Sequence, residues 1–90
     1  MSISNRWSMV LTVQESDGGD TAATARLTLD GGEHLAGHGK AKLNPADQGV
    51  DKIGAEIAVA RALSDLAHKL LHSAALDVEG MTHQRTHLHM

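Results

Sequence analysis

The side chains able to do chemistry fall into three groups. Arg26, His34, His38, Lys40 and Lys42 share one strand parity with Thr12, Thr24 and Thr28. On an antiparallel sheet they would form one basic, hydroxyl-bearing face, opposed there by Asp30 alone, and such a face can position the phosphates of RNA or of a ribosomal surface. The competing reading is that an exposed antiparallel face must be polar in any case, with lysine discouraging edge pairing. The second group is His68 and His72, one helical turn apart, with Asp65 three residues earlier and His83, His87 and His89 beyond. An i,i+4 histidine pair plus a carboxylate can hold Zn²⁺. The intervening Lys69, Leu70 and Leu71 do not make an HExxH motif, however, so a solvated polar face is the better reading and no metal is assigned. The third group is the serines at 2, 4, 8, 16, 64 and 73, none of which lies in a Gly-x-Ser-x-Gly elbow. Gly37-His38-Gly39-Lys40 lacks the spacing of a phosphate loop and a following helix start. The sequence therefore predicts no catalytic residue, no enzyme activity, no cofactor and no small-molecule substrate.

Three strands and a helix must position these groups. From Arg6 to Glu15, Trp7, Met9, Leu11 and Val13 alternate with polar residues, apart from Val10, which predicts a half-buried strand. Asp17-Gly18-Gly19-Asp20 is a turn, and Thr21 to Asp30 alternates again with Ala23, Ala25, Leu27 and Leu29 on one face. Asp30-Gly31-Gly32 makes a second turn into a strand from Glu33 to Leu43, with Leu35, Ala41 and Leu43 inward and His34, His38, Lys40 and Lys42 outward. Gly37 and Gly39 fall on the inward parity, where glycine is best explained by close approach of a helix backbone. After the linker Asn44-Pro45-Ala46-Asp47-Gln48-Gly49, a helix is predicted from Val50 or Asp51 to about Leu76, with Asp47, Asp51 and Glu56 at its positive end. Its buried stripe is expected at Ile53, Ile57, Ala60, Leu63, Ala67, Leu70 and Ala74, widened by Val59, Leu66 and Leu71. Arg61, Asp65, His68, Lys69 and His72 then fall on the far face, with i,i+4 ion pairs Arg61–Asp65 and Asp65–Lys69. At roughly 39 Å, this helix would lie across one face of the sheet.

Fold class is therefore α+β: a three-stranded antiparallel meander with one long C-terminal helix across one face, in the order β-β-β-α. Glu79-Gly80 is expected to end the helix, so that residues 1–80 form one domain and 81–90 a histidine-rich tail. The sheet would keep two unpaired edges and a bare outer face, which predicts packing onto a second protomer, with Leu88 and Met90 as tail contacts.

Composition narrows the function classes. In 90 residues with no cysteine there are no disulfides and no thiolate chemistry. Eight Lys and Arg against eleven Asp and Glu leave −3, so attraction to phosphate must come from a local face rather than from the whole chain. Trp7 is the lone aromatic residue, which excludes a base-stacking platform. No apolar run reaches the roughly 20 residues of a membrane span and no secretory segment is evident, so a cytoplasmic location without membrane contact is expected.

Several segments are familiar in their order: Trp7-Ser8-Met9-Val10-Leu11-Thr12-Val13-Gln14-Glu15, Thr21-Ala22-Ala23-Thr24-Ala25-Arg26-Leu27, Gly37-His38-Gly39-Lys40-Ala41, Asn44-Pro45-Ala46-Asp47, Ile53 through Leu66, and His87-Leu88-His89. Through them the chain resembles a small actinobacterial family of unknown function described as having a double-stranded-RNA-binding-like fold. One mycobacterial relative belongs to the dormancy (hypoxia) regulon and has been compared with ribosome hibernation-promoting factors. The resemblance covers nearly the whole chain and is most specific in the helix. It implies a homodimeric cytoplasmic protein of stress or dormancy, without established catalytic residues. The functional expectation is a ribosome- or RNA-associated protein acting through Arg26, His38, Lys40 and Lys42. The alternatives are a protein-interaction module acting through a sheet edge and a histidine-based metal binder centred on His68 and His72.

Overall fold

A computed structural model describes residues 4–42 and 51–88. Strand β1 (Ser8–Glu15) pairs antiparallel with β2 (Asp20–Thr28), and β2 with β3 (His34–Lys42), in the sheet order β1-β2-β3. Helix α1 (Asp51–Leu88) follows, which gives the β-β-β-α order that alternation and turn chemistry predict. Each hairpin closes through a glycine at positive φ, Gly19 at 88° and Gly32 at 84°, where a side chain would be strained. Ser16 N–H then donates to the Asp20 carbonyl at 2.8 Å, and Leu29 N–H to the Glu33 carbonyl at 2.8 Å. The strands are slightly shorter than expected from Arg6 and to Asp30, and Leu43 lies outside the described residues.

The inner face of the sheet is small. Thr21, Ala23 and Ala25 on β2 and Gly37, Gly39 and Ala41 on β3 are buried beneath α1. Gly37 and Gly39 are required there: a Cβ at Gly37 would collide with the Ala62 carbonyl oxygen and the Leu66 nitrogen, and one at Gly39 with the Ala58 carbonyl oxygen and the Ala62 nitrogen. The same contacts show that α1 runs antiparallel to β3, since Gly37 faces Ala62–Leu66 and Gly39 faces Ala58–Ala62.

This close approach corrects the predicted helix stripe. The residues against the sheet are Gly54, Ala58, Ala62 and Leu66, whereas Ile53, Ala60, Ala67 and Ala74 are exposed and Ile57, Leu63 and Leu70 only half-buried. Backbone-to-backbone packing admits hydrogen and methyl groups, so the bulky positions rotate to the flanks. The helix is also longer than predicted. It passes through Gly80 to Leu88, 38 residues or about 57 Å, against about 30 Å for a nine-residue strand. Gly80 costs an exposed helix only about 1 kcal/mol and does not end it. Residues 81–88 therefore continue the helix, while the Leu88 side chain and Met90 lie outside the described residues. The overhang gives extents of 65 × 32 × 18 Å.

A second correction concerns where the helix sits. It lies over β2 and β3, leaving β1 largely uncovered. Met9, Leu11 and Val13 have the register of the inner face, opposite Leu27, Ala25 and Ala23, yet remain 46%, 44% and 41% exposed.

Candidate nucleic-acid interface and the helix that holds it

The outer face of the sheet collects the predicted residues. On β2 the register places Ala22, Thr24, Arg26 and Thr28 outward, and on β3 His34, Ala36, His38, Lys40 and Lys42. Arg26, His38, Lys40 and Lys42 are all exposed. Thr24 lies between Thr12 of β1 and His38 of β3, and its Oγ1 is 3.3 Å from His38 Nδ1, which makes a hydroxyl–imidazole row across the sheet.

The cations are not gathered into one cluster. Lys40 and Lys42 stand at one end of β3, with Lys42 opposite Asp20, whereas Arg26 is opposite Ala36, four residues along from Lys40. At 3.4 Å per residue that separation is about 14 Å. One phosphate cannot span it. The face suits an extended polyanion touched at separate points, or else ordinary solvation.

The structure adds residues that the sequence placed facing solvent. Arg61, Asp65 and Lys69, four residues apart on α1, reach over the outer edge of β3. Arg61 Nη1 donates to the Lys40 carbonyl at 2.6 Å, Asp65 Oδ2 accepts the His38 amide N–H at 2.9 Å, and Lys69 Nζ donates to the Ala36 carbonyl at 2.8 Å. Two strand residues advance about 6.8 Å and four helical residues about 6 Å, so the two ladders stay in step. Asp65 also pairs with Lys69 at 3.1 Å, as predicted, but the predicted Arg61–Asp65 pair is absent because Arg61 has turned to the strand. The expectation of two open edges is corrected in the same way: β3 is occupied from the helix side, and among the described residues the open edge is β1. The sequence signal lay in the match between positions 61, 65 and 69 and positions 36, 38 and 40. It becomes legible only once Gly37 and Gly39 fix the face the helix approaches.

Electrostatics follow this geometry. The His38 amide and then the Lys69 ammonium hold the Asp65 carboxyl below its ordinary value. Around the β3 flank Lys40, Lys42, Arg61 and Lys69 outnumber Asp65 and Asp20, a local positive balance on an acidic chain.

The histidine pair is not drawn into a cluster. His68 Nδ1 is 2.7 Å from the Ser64 carbonyl, where it serves as a donor, and His72 is exposed. Among the described residues no three His, Asp or Glu side chains are grouped as a metal site, and no helix is long and apolar enough to cross a membrane.

Residues 5–87 match the sequence family described as Rv2632c-like. The chain belongs to the Rv2632c-like family. It is similar to an uncharacterized protein of Mycobacterium bovis, Mb1767, at 45% identity over 82 residues, covering 91% of this chain and 85% of that one. It is also similar to the uncharacterized protein Rv2632c of Mycobacterium tuberculosis, at 50% identity over 64 residues, covering 71% and 68%. The crystal structure of Rv2632c superposes with a TM-score of 0.81 at 40% identity, covering 91% of this chain and 95% of that one. The Rv2632c-like fold is thus the sheet and long helix described above.

Proposed function

We propose that this Rv2632c-like chain is a non-enzymatic, homodimeric cytoplasmic protein of stress or dormancy that associates with ribosomal RNA in the manner of hibernation factors. The observation that carries the reading is the register of the sheet, which turns Arg26, His38, Lys40 and Lys42 to one exposed face. Arg61 and Lys69 on the adjoining edge extend that basic zone. The β-β-β-α order supports comparison with a double-stranded-RNA-binding fold. Duplex RNA is nevertheless the less favoured ligand, because Glu56 pairs with Lys52 at 4.0 Å in the first turns of the helix, where a duplex reader presents basic residues.

Ribosome pelleting tests the reading. Wild-type chain should co-sediment at low salt and be released as salt rises, because phosphate contacts exchange with counterions. The triple variant Arg26→Ala, Lys40→Ala, Lys42→Ala should remain in the supernatant. Absence of wild-type co-sedimentation at low salt removes the proposal.

The second reading, a protein-interaction module acting through a sheet edge, is favoured by a different observation: β3 is sealed by Arg61, Asp65 and Lys69, while β1 is not. Its partners would be retained at high salt and would not be ribosomal.

A further inference from the structure

We infer that a trough on the outer face of β1 and β2 reads the ribose hydroxyls of single-stranded RNA, independently of base sequence. The inference rests on the basic-face reading proposed above and adds the chemical class of strand that the face selects. The trough has a volume of about 400 Å³ and is lined by Val10, Thr12, Gln14, Ala22, Thr24 and Arg26. That lies at the lower end of the ~300–1,000 Å³ of small-molecule sites, a size suited to one nucleotide at a time.

Side-chain size makes the hollow. The register sets three rows across the sheet: Gln14–Ala22–Lys40, Thr12–Thr24–His38 and Val10–Arg26–Ala36. The short side chains of Ala22 and Ala36 leave low ground on either side of the half-buried Thr24. Successive outward rows are about 6.8 Å apart, so the hydroxyl row lies midway between the Arg26 row and the Lys40 row. Cation, hydroxyl, cation matches the order in which a nucleic-acid backbone presents phosphate, sugar, phosphate.

The chemistry selects the sugar. Thr24 Oγ1 meets His38 Nδ1 at 3.3 Å. Whichever of the two donates, the threonine oxygen keeps a lone pair that can accept again. Thr12 sets a second hydroxyl beside it, and Gln14 an amide one row away. A ribose 2′-OH both donates and accepts, and it is the group by which a protein tells RNA from DNA. Base identity goes unread. The chain's lone aromatic residue, Trp7, precedes β1 rather than standing on this face, and base-stacking platforms need such rings. The strand is single because a duplex reader needs a basic helix start, where Glu56 pairs with Lys52.

Fluorescence anisotropy at low salt tests the inference with labelled probes of equal length and charge, an oligouridylate and its 2′-deoxy counterpart. Wild type should bind the RNA about fivefold more tightly, the net worth of one hydrogen bond, and an oligocytidylate as tightly as the oligouridylate. Thr12→Val with Thr24→Val exchanges two hydroxyls for methyl groups. This pair should lose the preference while keeping wild-type affinity for the deoxy strand and wild-type circular dichroism. Thr12→Ser with Thr24→Ser keeps both hydroxyls and should keep the preference. Equal affinity of wild type for RNA and deoxy strand, a clear preference between the two bases, or a ribose preference that survives the valine pair overturns the inference and leaves the basic-face reading standing. Wild type that binds no probe overturns both. If the valine pair loses its fold, the single Thr24→Val decides in its place.

Discussion

The amide N–H of His38 donates to the Asp65 carboxylate at 2.9 Å, so one residue of the edge strand is gripped through its main chain from the helix while its imidazole meets Thr24 on the far face. Ladder and face are therefore coupled. Whatever approaches the outer face at His38 or Lys40 meets a strand whose edge is already fastened by Asp65 and Arg61.

Asp65 makes that fastening dependent on pH. Its carboxyl is held below the ordinary value of 3.8 in the folded chain, so the unfolded chain binds more protons as the solution is acidified. The stabilisation is whole above the ordinary carboxylate value and drains away as pH falls through the lowered folded value. Asp65→Asn should be less stable than wild type at pH 7, with the gap narrowing below about pH 4, as measured by urea titration at several pH values. A gap that stays constant into acid removes the carboxylate from this role.

Glycine at the helix crossing is a steric necessity. Gly37→Ala and Gly39→Ala each drive a methyl group into the backbone of α1, and adding atoms to a packed site costs about 1–3 kcal/mol. Because backbone cannot step aside as a side-chain tip can, the upper end of that range is expected. Gly31→Ala, with open space around it, should change stability by less than about 0.5 kcal/mol. Thermal melts of the three variants check the ordering.

Arg61→Ala and Lys69→Ala release the Lys40 and Ala36 carbonyls. Each should cost about 1 kcal/mol, the net worth of a hydrogen bond at an accessible site. The double variant also reopens a strand edge, so concentration-dependent aggregation should appear in light scattering where wild type stays clear.

Substitutions on the outer face should leave the fold intact. Lys40→Ala and Lys42→Ala remove exposed side chains, and melts within about 0.5 kcal/mol of wild type are expected. A larger loss would mean that these side chains serve the fold rather than a ligand.

The strands were legible because their alternation, broken by Asp17-Gly18-Gly19-Asp20 and Asp30-Gly31-Gly32, has few competing interpretations. Gly37 and Gly39 were legible for the same reason, as inward positions lacking side chains. The rotation of the helix was not. Hydrophobic periodicity weights Ile53, Leu63 and Leu70, whereas the contact selects the least bulky row, Gly54, Ala58 and Ala62. Once that row is wrong by about one residue, Arg61, Asp65 and Lys69 are assigned to water when they belong to a strand edge. Parity alone reveals the basic face but not the spread between Arg26 and Lys40, since it says which side a residue takes and not how far along.

A junction made mostly of methyl groups and bare Cα atoms has a calorimetric consequence. Ala23, Ala25, Ala41, Ala58 and Ala62 take little oil-like area out of water, and among the described residues Leu66, still 5% exposed, is the one larger apolar side chain buried with them. Heat-capacity change on unfolding tracks apolar exposure. The folded chain should therefore show a change below the usual ~12–15 cal/mol/K per residue, and so a shallow, broad curve of stability against temperature.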